Sequence, residues 1–245
     1  MTKNTLLVLG ARSDIGMAIA HRYAKAGYDI QLASRNADNL TVNKSDLELR
    51  YQVSVSLHEF NALEIETHVK FVDTLQDLPT VAVCAVGYMG NQRESELDVI
   101  AAKLIMRSNY EGPASILGVL ANKFEERNSG CLIGISSVAG ERGRATNYTY
   151  GSGKAGFTAF LSGLRNRLAK TGVHVITVLP GFVSTKMTLG MDLPPNLTTS
   201  PPQLAEAIFK AEIKRKNIIY HGKVWFIIMV IIKSIPEHIF KNLKL

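Results

Sequence analysis

Apolar runs of strand length alternate with segments of helical period from residue 5 to about residue 180. Residues 5–9 (TLLVL), 29–34, 54–60, 80–86 (TVAVCAV), 130–136 and 174–179 read as six strands, most of them almost continuously apolar. Between them, Ile15, Ile19 and Tyr23 share one face of a helix over 15–26 that Gly27 stops. Helices are also predicted over 94–109 and 113–127. A long one over 153–170 turns Phe157, Phe160, Leu161, Leu164 and Leu168 inward and stops at Gly172. Strands without polar alternation are buried on both faces, which calls for a parallel sheet with helices above and below. Right-handed crossovers then give a doubly wound α/β fold. No internal repeat interrupts the alternation, so residues 1–245 read as one domain. Residues 186–202, rich in Pro, Thr and Asn toward their end, read as a mobile substrate loop.

The last fifth of the chain departs from this rhythm. Residues 224–232 (VWFIIMVII) are nine apolar positions between Lys223 and Lys233, well short of the about 20 that span a bilayer. Part of that run is expected to be a seventh strand. In the tail, 233–245, Ile235, Ile239, Phe240 and Leu243 fall on one helical face with Lys241 and Lys244 nearby. Such an amphipathic tail either packs on the core or lies in a membrane interface.

Composition adds bounds. The chain has 245 residues, 46% hydrophobic and 20% charged, enough to bury a sizeable core. Cys84 and Cys131 both sit in apolar runs and read as small buried hydrophobes of a reducing, cytoplasmic compartment. No Cys/His spacing suits a metal, and no signal peptide opens the chain. The net charge is +7, and residues 203–245 hold eight Lys/Arg against three Asp/Glu, most of that excess. This basic charge suits anionic lipid, a phosphorylated substrate or plain solvation. Nucleic acid fits poorly, because the basic residues interleave with aliphatic runs and no stacking platform is evident.

The chemistry centres on Tyr150 and Lys154, thirteen and seventeen residues after Ser137. A Tyr and a Lys four apart share a helical face, so the ammonium can favour ionisation of the phenol. A hydroxyl at a neighbouring strand end can bind the same carbonyl oxygen, which makes an acid for reducing a ketone if a hydride donor lies opposite. Upstream, the first strand runs into Gly10-Ala11-Arg12-Ser13-Asp14-Ile15-Gly16 and a helix, a turn whose small residues and helix N-terminus suit a pyrophosphate.

These segments resemble the short-chain dehydrogenase/reductase family. Gly10, Ile15 and Gly16 match its glycine-rich turn, although Leu9 and Asp14 stand where it has Thr and Gly. The Ser137/Tyr150/Lys154 spacing matches, Asn109 lies at its helix-interrupting Asn, and Pro180-Gly181-Phe182-Val183-Ser184-Thr185 matches the segment bordering the nicotinamide. The resemblance spans about residues 5–190. It implies a Rossmann-like sheet of about seven strands, Tyr150 as acid, Ser137 orienting the carbonyl, Lys154 lowering the phenol's pKa and binding ribose, and Asn109 relaying protons. It also implies a homo-oligomer.

Three departures bear on the site. Cys84-Ala85-Val86-Gly87 replaces the family's Asn-Asn-Ala-Gly, leaving Ala85 and Gly87 for close cofactor approach. Asn61 stands where an acid often contacts adenine. Asp14 is awkward beside phosphates, or else caps the helix beginning at Ile15. Ala33-Ser34-Arg35 carries no acid for a ribose 2′-hydroxyl, and Arg12 with Arg35 can clamp a 2′-phosphate, so NADP(H) is favoured over NAD(H). Arg35 stacking on adenine is the alternative.

Two further stretches narrow the resemblance: Ser136-Ser137-Val138-Ala139-Gly140-Glu141-Arg142 before Tyr150, and Met229-Val230-Ile231 followed by Ile235-Pro236 and Ile239-Phe240-Lys241. They resemble those family members that reduce the 2-keto group of a prenyl-phosphate-linked pentose for the cell envelope. That resemblance implies a lipid-linked sugar substrate, a flavin oxidase partner that makes the ketone, and a place on the inner face of the cytoplasmic membrane. Arg142 and Arg144 would then be phosphate contacts or members of a solvated loop, and Tyr148 would line the pocket. A soluble carbonyl or ketoacyl reductase, or a nucleotide-binding regulator without catalysis, are the competing readings.

Overall fold

A computed structural model describes residues 4–243; Lys244, grouped above with the terminal apolar face, lies outside the described residues. Seven parallel strands form one sheet in the order β3-β2-β1-β4-β5-β6-β9. They are β1 (Thr5–Leu9), β2 (Asp29–Ser34), β3 (Val55–Glu59), β4 (Val81–Cys84), β5 (Gly130–Ile135), β6 (Val173–Pro180) and β9 (Ile218–His221). The order reverses between β1 and β4, where loops leave the sheet in opposite directions and open a crevice at the strands' carboxyl ends. Register brings those ends level: Leu9 lies between Ala33 and Cys84, and Cys84 pairs onward with Gly134.

Helices cover both faces, as the unbroken apolar strands require. On one side, α1 (Asp14–Ala24), α2 (Thr41–Tyr51) and α8 (Pro201–Ile213) bury Ile19, Tyr23, Leu47, Leu204 and Ile208 against Leu6, Val8 and Ile30. On the other, α3 (His68–Asp73), α6 (Gly112–Arg127) and α7 (Tyr148–Arg167) bury Phe71, Leu117, Phe124, Phe157 and Leu161 against Leu7, Leu9 and Leu132. Each large side chain fully removed from water contributes about 1.5–3 kcal/mol. Cys84 and Cys131 are buried free thiols within these two layers.

The structure corrects the predicted elements at several points. The helix expected over 94–109 is three pieces: α4 (Gln92–Leu97), α5 (Val99–Met106) and a π-helical turn at Arg107–Glu111. Asp98 breaks the first two apart, because its extended backbone lets its carboxylate accept from Ile100 N–H at 2.8 Å and cap α5. The long helix begins at Tyr148 rather than 153, so Tyr150 is inside it.

The seventh strand is β9, upstream of the predicted position, and the VWFIIMVII run is instead helix α9 (Lys223–Ser234). An apolar run of nine fits either period, and packing decides: Trp225 and Met229, four apart, are buried together with Val138 and Leu179. The tail forms only a short helix, α10 (Glu237–Phe240), because Pro236 ends what precedes it. Between β6 and α8, a two-stranded ladder of β7 (Phe182–Val183) and β8 (Thr198–Thr199) ties the ends of the 184–197 segment together. No described helix is long and apolar enough to cross a membrane.

Candidate active site

The crevice is built from the turn after β1 and the loop after β4. Gly10 adopts φ +85°, open to glycine, and a Cβ there would meet the Ala85 carbonyl carbon and Val86 nitrogen at 3.0 Å. Ser13 holds the turn: its hydroxyl donates to the Gly10 carbonyl at 2.8 Å and accepts from Gly16 N–H at 3.0 Å. Ser13, not Asp14, is therefore the cap of α1. The Asp14 carboxylate turns away and accepts from Lys186 N–H at 2.7 Å, latching the segment after β7 onto the start of α1. That neutralises the awkward charge locally, since a backbone donor satisfies one of its oxygens. With Gly16 and Met17 N–H bound to Ser13, the N–H groups of Asp14 and Ile15 are the open donors of the helix's first turn among the described residues.

At the other end of the crevice, Arg12 and Arg35 border a broad cleft with Asn36, Asn61 and Lys70. The carboxylates there are occupied: Glu59 accepts from Asn36 and Ala37 N–H at 3.0 Å, and Glu64 accepts from Asn61 at 2.8 Å. Asn61 reaches the cleft but spends its amide on Glu64 and Leu63. Ser34 does not fit its predicted place. It is buried at the end of β2, its hydroxyl bonds the Arg35 carbonyl at 3.3 Å, and it lines neither this cleft nor the cavity described next.

The central cavity, about 140 Å³, is lined by Ser137, Tyr150 and Lys154 together with Ile15, Ala85, Gly87, Pro180, Gly181, Val183 and Thr185. Elements far apart in sequence place the first three. Ser137 follows β5 and opens a 3-10 turn, Tyr150 stands in the first turn of α7, and Lys154 lies one turn on. Ser136, the competing hydroxyl, points into the α7 backbone: it donates to the Lys154 carbonyl at 3.0 Å and pairs with Thr158 at 2.6 Å. Ser137 is thus the hydroxyl left to hydrogen-bond Tyr150.

Electrostatics here differ from expectation. Burial pushes the Tyr150 phenol up to about 12, and the Ser137 hydrogen bond opposes this only in part. The same cause pushes Lys154 down to about 8. Lys154 is 3% exposed, and its ammonium donates to the Ile135 carbonyl at 2.9 Å, 5.8 Å from the Tyr150 ring centre. The expected lowering of the phenol's pKa by Lys154 is absent, because removal from water outweighs the ammonium's attraction. Both groups are therefore held toward the neutral phenol and a readily deprotonated amine.

Asn109 sits inside the π turn, fully buried, and its side chain is spent on structure: it donates to the Tyr88 and Ile105 carbonyls and accepts from Tyr88 N–H at 3.3 Å. It thereby fixes the loop after β4. A Cβ on Gly87 would stand 3.1 Å from Asn109 Oδ1 and 3.2 Å from Lys154 Nζ, so Gly87 is the window between them. π turns are commonly retained at functional sites for such local re-aiming.

Several wall residues were not legible. Met89, Asn147, Met187, Met191 and Trp225 all line the cavity, and so does Arg144. Trp225 was misplaced with the run assigned to a strand; its indole covers Gly181, where a Cβ would lie 2.0 Å away, and donates to the Leu197 carbonyl at 3.0 Å. Tyr148, expected in the wall, is 47% exposed and outside it. Arg142 is no phosphate contact: it pairs with Glu237, bonds the Ile235 carbonyl and stacks on Phe240, pinning the tail.

A doubly wound sheet with Ser, Tyr and Lys converging beside its switch point defines a class, the dinucleotide-binding α/β domains that carry a proton-donating site. The family model described as short chain dehydrogenase matches residues 4–193, and the chain belongs to the short-chain dehydrogenase/reductase family and is an oxidoreductase. An uncharacterized oxidoreductase of Mycobacterium tuberculosis is 34% identical over 241 residues, 97% of this chain and 96% of that protein. Another from Streptomyces coelicolor is 31% identical over 242 residues, 98% and 95%. Among solved structures, a short-chain dehydrogenase from Sphingobium yanoikuyae in complex with NADPH aligns with a TM-score of 0.82 at 20% identity, over 96% of this chain and 97% of that one. One from Burkholderia cenocepacia in complex with NADP has the same TM-score at 19% identity, over 98% and 97%.

Proposed function

We propose that the chain uses NADPH to reduce a ketone to an alcohol, and that the ketone is the 2-keto group of a polyprenyl-phosphate-linked sugar, of the decaprenylphosphoryl-2-keto-erythro-pentose type. The observation that carries the first half is the convergence of Ser137, Tyr150 and Lys154 on one cavity at the switch point. The open N–H groups of Asp14 and Ile15 fit a pyrophosphate. Arg12 and Arg35 at the far cleft fit a 2′-phosphate, and two fold neighbours carry NADPH or NADP. Bound there, the cofactor supplies the hydride.

The chain's own residues handle the proton. Tyr150, protonated throughout the physiological range, gives its proton to the developing alkoxide. Ser137 hydrogen-bonds both the phenol and the carbonyl oxygen and so fixes their separation. Lys154, when protonated, stabilises the phenolate left behind, and Asn109 keeps the Tyr88 loop from closing on it. A positioned acid of this kind contributes about 10²–10⁴-fold in rate.

The lipid-linked substrate is supported by the surface beside the cavity. Helix α9 contributes Trp225 to the wall, while Phe226, Ile227, Val230 and Ile231 on its outer face are each about half exposed. Lys233 and Lys241 flank them. An apolar face with basic flanks suits an anionic membrane surface, the inner face of the cytoplasmic membrane, where a prenyl chain would stay while its sugar enters. This reading brings with it a flavin oxidase as the source of the ketone. The exposed row Leu97, Val99, Ile100 and Leu104 suits a second copy of the chain.

The test is cofactor oxidation with a synthetic prenyl-phospho-2-keto-pentose, with NADPH and NADH in parallel, alongside co-sedimentation with anionic vesicles. Turnover with NADPH and vesicle binding are expected. Good turnover of water-soluble ketones without vesicle binding would favour a soluble carbonyl reductase, and no turnover of any ketone a nucleotide-binding regulator.

A further inference from the structure

The arginines of this protein are, with few exceptions, fully engaged. Arg142 has Glu237, the Ile235 carbonyl and the Phe240 ring. Arg127 donates to the Leu78, Pro79 and Ser129 carbonyls, and Arg165 to Val175, Thr177 and Asn217. Arg144, two residues beyond Arg142, is different. Its only hydrogen-bond partner among the described residues is the Met229 sulfur at 3.5 Å, a weak acceptor. Its Nε is shut off from solvent with no partner at all, and so is Oδ1 of Asn147, three residues on. Both residues line the same cavity as Tyr150.

An unpartnered buried donor on a charged side chain costs free energy that a folded protein normally recovers through a hydrogen bond. No described carboxylate lies within ion-pair distance of Arg144, and burial is the one influence on its pKa, a downward one. The cavity wall holds Arg144 and Lys154 and not one Asp or Glu. Such a cavity is positive and favours an incoming anion. A guanidinium with open donors is the group best shaped to hold a phosphate or carboxylate through paired N–H bonds. The Asn147 carbonyl oxygen beside it can accept only from a donor, such as a hydroxyl.

We infer that Arg144 and Asn147 form the substrate-recognition subsite of this cavity: Arg144 binds an oxyanion of the ketone substrate, a phosphate ester or a carboxylate, and Asn147 accepts from a neighbouring hydroxyl. The inference rests on the reductase reading above and deepens it, because it states which ketones the site prefers. A hydroxy-ketone with an anion within the reach of one cavity fits. A neutral, purely apolar ketone leaves both orphan groups unpaired in the complex.

The experiment uses matched ketones that differ only in carrying a phosphate ester or the free alcohol, with a carboxylate analogue as a third. The wild-type chain is expected to prefer the anionic partner. Arg144→Met should reduce that preference, read as the ratio of kcat/KM values, by about 10–100-fold through KM. Arg144→Lys should restore part of it, and Asn147→Ala should lower kcat/KM only for substrates with the neighbouring hydroxyl. The carboxylate arm separates a general anion site from one shaped for phosphate. An unchanged ratio in a folded Arg144→Met chain overturns the inference, and so does a wild type that prefers the neutral ketone. If Arg144→Met does not fold, Arg144→Lys and Arg144→Gln give the same ratio test. A wild type that reduces none of the ketones defeats the reductase reading instead; calorimetric binding of the phosphorylated ketone, weakened or not by Arg144→Met, then decides the subsite on its own.

Discussion

The cofactor side and the substrate side of the crevice are built by opposite rules. Around the β1 turn, nearly every polar group has a partner inside the protein: Ser13 bridges Gly10 and Gly16, Asp14 takes Lys186 N–H, and Glu59 takes two backbone donors. Around 138–150 and α9, Arg144 and Asn147 have orphan atoms, and large apolar side chains face outward. The first side is finished by its own residues and needs a ligand only to meet a helix N-terminus. The second is unfinished without a ligand and a neighbouring surface. The difference separates a part that serves one invariant partner from a part that chooses among partners.

That contrast can be broken at its centre first. Tyr150→Phe is expected to cost about 10²–10⁴-fold in turnover while calorimetric affinity for NADPH stays within about threefold. Near-normal turnover would remove the acid from the phenol.

Lys154 offers the next largest effect, and one of mixed sign. Its folded pKa, about 8, lies below the 10.5 of a free lysine, so at pH 7 its burial as a cation opposes folding by roughly 3 kcal/mol. Between about pH 8 and pH 10.5 the unfolded chain binds more protons than the folded one, and stability from this group rises with pH across that window. Lys154→Met should therefore raise Tm at pH 7 by up to about 10 °C, with the gain shrinking toward pH 10, while ketone reduction is lost. In the unmutated enzyme, reduction should fall as pH climbs through about 8, when the ammonium beside the phenol disappears. A flat pH profile from 6 to 9 would exclude the ammonium from the reaction.

Gly10→Ala probes the finished side. It forces φ +85° on a residue with a Cβ and sets that atom 3.0 Å from the next loop's backbone, at about 1–3 kcal/mol by the usual cost of such strain. Chemical denaturation should show that loss, and calorimetry a weaker NADPH affinity. The smallest effect on stability belongs to the unfinished side: Phe226→Asp with Ile231→Asp should move unfolding by no more than about 1 kcal/mol, because both side chains already face water. The same pair should abolish co-sedimentation with anionic vesicles. Unaltered sedimentation would detach α9 from any lipid role.

The legibility of the chain followed the same division. Strands β1 to β6 were visible because burial on both faces leaves a continuous apolar run that no other element explains. Ser137, Tyr150, Lys154 and the Gly10 turn were visible because backbone geometry fixes their spacing. What failed depended on packing between distant segments. The period of 224–232 was ambiguous until Trp225 and Met229 found Val138 and Leu179. The edge strand β9 was missed because its four residues are only partly covered and follow a basic stretch. Asp14 was assigned a cap that Ser13 holds, since the competing acceptor role, to Lys186, lies 172 residues away. The tyrosine's upward shift could not be read either, because burial is a property of the fold and not of a four-residue spacing.

The indole of Trp225 has one more consequence. It is the chain's only tryptophan, it is buried against Gly181 and edge-on to Phe182 at 5.2 Å, and it stands in the cavity wall. All tryptophan fluorescence of this protein therefore originates at one point, beside the segment where a nicotinamide ring would lie. Its emission falls where a reduced nicotinamide absorbs, so the unlabelled protein carries a built-in energy-transfer donor that reports arrival at this site and nowhere else.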